Sequence, residues 1–83
     1  MVQQKQLGMI AMNITLWNLG LGSSGEIARL RGDAAARRRL MDLGFVPGAR
    51  PRKLLENRGM AAWLIGGTLI ALRREDADRI LMR

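Results

Sequence analysis

Glycine and proline punctuation is the feature that most restricts what this chain can fold into. "VPG" at 46–48, "NRG" at 57–59 and "GG" at 66–67 cut the second half into short runs. Runs this brief suit strands better than helices, and turns of this chemistry join neighbouring antiparallel strands. The runs "ARPRKLLE", "MAAWLI" and "TLIALR" therefore read as three strands. Pro51 has no N–H for a ladder and marks an edge or a bulge. In the third run Thr68, Ile70 and Leu72 share one face, and Leu69 and Ala71 the other.

Upstream, "EIARLR" reads as a strand with Ile27 and Leu30 as its core residues. Their spacing breaks strict alternation and predicts a bulge. Asp33 is a good helix N-cap and Gly44 a good left-handed terminator, which predicts a helix over 34–43. Counting about 100° per residue, Ala36, Leu40 and Leu43 share one arc, which should face the core. Met41 points away from it. The same count splays Arg37, Arg38 and Arg39 apart, so they cannot grip one phosphate; Arg38 stands one turn from Asp42, a weak surface pair. Phe45 and Val46 are expected to plug the core edge below the helix. "TLWNLGLG" reads as one helical turn capped by Thr15, "REDAD" as another, and "RILM" as a closing strand. The expected fold is mainly β: about five short strands and one inserted α-helix, closed into a small bent barrel.

A chain of 83 residues supports one small domain. Residues 1–12 are expected to form an N-terminal tail, with an extra strand or an apolar arm as the alternative, and residues 13–83 the folded domain. "KQLGMIAM" only faintly echoes a signal peptide. No run is long and apolar enough to be read as a membrane-spanning helix. The formal net charge is +7, and Lys5 is the only basic residue before Arg29. Such a surface favours anionic partners: nucleic acid, an anionic leaflet or an acidic protein face. Trp17, Phe45 and Trp63 are the only aromatics, poor material for base stacking.

Catalysis has little to draw on. Cysteine, histidine and tyrosine are absent, and Thr15, Ser23, Ser24 and Thr68 have no base beside them in sequence. "GLGSSGE" lacks the lysine and spacing of a phosphate-binding loop. Glu75, Asp76 and Asp78 form the one acidic cluster and read as a solvated turn rather than an iron site. Arg50, Arg52, Lys53 and Arg58 would extend a basic edge across the hairpin. Neither a cofactor nor an enzymatic activity is expected.

One arrangement is more specific than any single turn. Leu16, Leu19, Gly22, Gly25, Ile27, Leu30 and Gly32 lead into "RRRLMDLGFVPG", and "GGTLIALRREDADRIL" follows. This order resembles the FeoA family of bacterial ferrous-iron uptake over residues 15–82. The resemblance implies an SH3-like barrel, a cytoplasmic location, iron ion homeostasis with transition-metal ion binding, and a non-enzymatic role in binding the cytosolic part of the FeoB transporter. It also implies kinship with the C-terminal barrels of iron-dependent repressors. The chain departs from the family pattern after Gly48. Pro51 and Lys53 stand where apolar residues alternate, Leu54 and Leu55 are displaced, and "ENRG" replaces a longer proline- and glycine-containing loop. The candidate partner-binding residues are Arg37, Arg38, Met41, Arg73 and Arg74, with an anionic membrane surface as a further contact. The alternative reading is a small nucleic-acid-binding barrel.

Overall fold

A computed structural model describes residues 14–83. The expectation for residues 1–12 lies outside the described residues. After a 3-10 turn, Leu16–Asn18, come β1 (Ile27–Leu30), α1 (Ala34–Asp42), β2 (Arg52–Asn57), β3 (Met60–Ile65), β4 (Thr68–Arg73), the short helix α2 (Arg74–Ala77) and β5 (Ile80–Met82).

The five expected strands are present, but they do not close into a barrel. They form two antiparallel sheets, β1–β5 and β2–β3–β4. Pro51, immediately before β2, shows why the ladder stops: it is buried and offers only its carbonyl, which accepts from Gly25 N–H at 3.3 Å. Isolated links stitch the sheets instead. Ser24 bridges to Arg52 and Ile27 N–H donates to the Ala49 carbonyl at 2.9 Å, while Thr15 bridges to Leu81 and ties the N-terminal segment to β5.

Two strands carry bulges. In β1 the register against β5 shifts between Ile27 and Arg29, as the apolar spacing predicts, and buries Ile27 completely. In β2 it shifts between Lys53 and Leu55, so Lys53 faces Trp63 while Leu55 faces Ala62. Arg58 and Gly59 make the β2–β3 turn, and Gly66 and Gly67, with φ of 56° and 80°, make the next. Positive φ at both positions suits the twist of a two-residue hairpin.

The core gathers Leu16, Ile27, Leu40, Phe45, Trp63, Ile65, Leu72 and Ile80. Helix α1 enters it through Ala36 and Leu40. Asp33 caps the helix, its carboxylate accepting from Ala36 N–H at 2.8 Å. Leu43 departs from the expected arc and is 42% exposed. The helix ends at Asp42, and Gly44 at φ 111° swings the chain back beneath it. Phe45 N–H then donates to the Leu40 carbonyl at 3.2 Å, and its fully buried ring takes the core position that Leu43 would have filled. Val46 also departs from expectation. It turns outward, with its N–H donating to the Gly44 carbonyl at 2.9 Å.

Candidate functional site

The most unusual group in the molecule is Lys53, 1% exposed in a small β domain. The expected basic edge does not include it. The β2 bulge turns it inward between two indoles, with its ammonium 4.6 Å from the Trp17 ring centre and 5.8 Å from that of Trp63. The rings meet edge to face at 6.4 Å. Nζ donates to the Trp17 carbonyl at 2.7 Å and pairs with the Glu56 carboxylate. A buried ammonium is tolerable only when its donors and charge are satisfied, and these partners do both. Signals for it were present in the sequence: the family pattern puts an apolar residue at 53, and Glu56 follows three residues later.

The other basic residues divide sharply. Arg37 folds back, its guanidinium donating to the Gly32 carbonyl at 2.5 Å. Arg39 reaches Asp76 at 3.5 Å. Arg38 has no ion pair or side-chain hydrogen bond among the described residues, so the expected pair with Asp42 is not formed. Arg73 approaches Glu75 and Asp76 at 3.8 and 3.7 Å. Arg74 pairs with Asp78 at 3.5 Å and lies 5.5 Å over Trp17. The five candidate residues thus do not form one cluster. Arg38 and Met41 share one face of α1, Arg74 sits on Trp17, and Arg73 ends β4.

Asp76 ties these parts together. Its half-buried carboxylate lies within 4.0 Å of Arg39, Arg73 and Arg79, linking α1 to the β4–β5 connection. Asp78 accepts from the Thr15 hydroxyl at 2.8 Å. The acidic turn is therefore an anchor and not simply solvated. Its carboxylates do not fit a metal site, because guanidinium groups and a hydroxyl already hold them. No group of three or more His, Cys, Asp or Glu among the described residues could hold a metal ion.

At the C-terminal end of α1, Met41, Leu43 and Val46 are 38%, 42% and 39% exposed. Arg38 stands one turn before Met41 on the same helix face. Three large apolar side chains within six residues, beside an unengaged guanidinium, have the composition of a docking point. Bases would find no comparable platform: Trp63 is buried, and Trp17 is half-buried with two cations against it. No helix of the described residues is long and apolar enough to cross a membrane.

Comparison with known proteins agrees with this architecture. The FeoA domain model matches residues 14–83. A crystal structure of an iron uptake regulatory protein, FeoA, is 28% identical with a TM-score of 0.79, covering 84% of this chain and 95% of that one. A zinc-complexed FeoA from Stenotrophomonas maltophilia, described as an SH3 domain protein and candidate ferrous-iron-transport activating factor, is 29% identical with a TM-score of 0.75, covering 84% and 89%. A manganese-dependent transcriptional repressor bound to manganese is 26% identical with a TM-score of 0.78, but 84% of this chain spans only 35% of it. No curated protein matches. With a family model spanning every described residue, the chain belongs to the FeoA family, which is associated with ferrous-iron transport.

Proposed function

We propose that the protein is a non-enzymatic accessory factor of bacterial ferrous-iron uptake, acting in the cytoplasm by docking on the cytosolic part of a FeoB-type transporter. The observation that carries this reading is the end of α1, where Met41, Leu43 and Val46 are exposed beside the unengaged Arg38. Leu40 and Phe45 hold the opposite side of the same segment in the core. The surface is therefore rigid, so little conformational entropy is lost on binding. Arg37, Arg73 and Arg74, although not clustered with it, add to the net positive field of the molecule and would speed encounter with an acidic surface. Docking changes transport only if one transporter state is bound better than another. Co-purification with crosslinking, from cells that produce both proteins, tests the reading. Crosslinks from residues 38–46 to the transporter's cytosolic part are expected. Crosslinks to nucleic acid, or none to the transporter, would refute it.

A further inference from the structure

A second surface lies on the opposite side of the β2–β3–β4 sheet from the core. Cross-strand register defines it. Asn57, Met60 and Arg73 form one outward row, Leu55, Ala62 and Ala71 the next, and Arg52, Leu64 and Leu69 the third. Leu55, Leu69 and Met60 are 60%, 51% and 42% exposed, although an outward sheet face in solvent normally carries polar residues. The surface is not flat. Ala62 and Ala71 form the floor of a groove that Leu55 and Met60 help to wall.

Charge frames this groove on a diagonal. Arg52, Ala62 and Arg73 occupy opposite corners and the centre of the three rows. Four residues of strand rise and two strand spacings put the two arginine backbones roughly 16 Å apart, about three turns of helix. Arg58, in the adjoining turn, has no side-chain partner among the described residues. Arg52 gives one N–H to the Gly22 carbonyl, and Arg73 holds its carboxylates only loosely. None of the nine outward positions is acidic, and Glu56, at the groove's edge, is already paired with Lys53.

From this geometry we infer that the outer sheet face receives an acidic amphipathic helix of another protein. Its apolar stripe lies over Ala62 and Ala71, and its carboxylates reach Arg52 and Arg73. A small-residue floor between larger walls suits a helix, which inserts side chains at i, i+3, i+4 and i+7. A second copy of this chain fits poorly, since its matching face brings arginines and no acids. The inference does not depend on the docking reading of α1, because none of the residues that carry that reading, Arg38, Met41, Leu43 and Val46, lies in these three rows.

The test is a titration of the full chain with three probes. The first is a helical peptide of about three turns with leucines on one face and glutamates at both ends. The second has lysines in place of the glutamates, and the third is vesicles of phosphatidylethanolamine and phosphatidylglycerol. Binding of the acidic peptide is expected, with chemical-shift changes at Leu55, Met60 and Ala71. Ala71→Trp, which fills the floor, and Leu69→Asp, a second route to the same defect, should each weaken it about tenfold while circular dichroism stays unchanged. Arg73→Glu should also weaken it, and the lysine peptide should not bind. Failure of the acidic peptide to bind, or binding unaffected by Ala71→Trp and Leu69→Asp, would overturn the inference. So would vesicle binding that Ala71→Trp strengthens, which marks a lipid surface, or dimers that either substitution dissolves.

Discussion

Lys53 shows at the scale of one residue how context can outweigh type. An ammonium in the interior is costly by itself, yet the Trp17 carbonyl, the Glu56 carboxylate and two indole faces surround this one. Lys53→Ala removes the packing as well as the charge and leaves the carbonyl unpaired. It should cost about 3 kcal/mol in urea denaturation. Lys53→Met leaves the same carbonyl unpaired but keeps the volume and frees Glu56, which is partly exposed, to return to water; it should cost about 1.5 kcal/mol, half the loss expected for Lys53→Ala. Equal losses for the two would show that the paired charge, which both remove, and not the packing sets the stability here. The same scale separates Arg37, Arg38 and Arg39. Helical geometry foretells that they diverge, but only the fold shows Arg37 turned to Gly32 and Arg39 to Asp76. Charge counting alone would place Lys53 on a solvent edge. The family's apolar alternation points inward at the same position, and a bulge that composition does not reveal makes the second reading correct.

Among the elements, α1 was the most legible. Asp33, Ala36, Leu40 and Gly44 carry its start, core side and end in local chemistry, which is why they can be read along the sequence. Leu43 and Val46 could not be assigned this way, because their exposure depends on the turn at Gly44 that delivers Phe45 to the core. Closure of the barrel was likewise not legible. Local pattern specifies strands, whereas the gap before β2 depends on where the Pro51 backbone falls relative to β1. Asp33→Ala should lower stability by about 1 kcal/mol through loss of the cap. Asp76→Asn should cost about 2 kcal/mol, because one half-buried carboxylate faces three guanidinium groups. Glu75→Gln, at a well-exposed carboxylate on the same turn, should change stability by less than about 0.5 kcal/mol. Thermal melts of the three variants under one buffer condition check this order. A loss at Glu75 equal to that at Asp76 would contradict the anchoring role.

The whole molecule presents two unlike surfaces on a small, mostly positive body. The rigid end of α1 combines Arg38 with Met41, Leu43 and Val46, and the outer sheet face combines an apolar groove with arginines at its corners. The core between them, from Leu40 through Trp63 to Ile80, fixes their relative orientation. This arrangement suits a body that holds two partners, or two parts of one, in fixed geometry. In the proposed function the end of α1 docks on the transporter, and this docking is open to measurement. Its most direct measurement is calorimetric titration of the cytosolic part of a FeoB-type transporter with the wild-type chain, Arg38→Glu and Met41→Asp. Both substitutions are at exposed positions and should leave the melting temperature nearly unchanged. Saturable binding by the wild type, weakened about tenfold or more by each substitution, is the expected result. Wild-type binding that both folded variants retain unchanged, or no wild-type binding at all, would contradict the account.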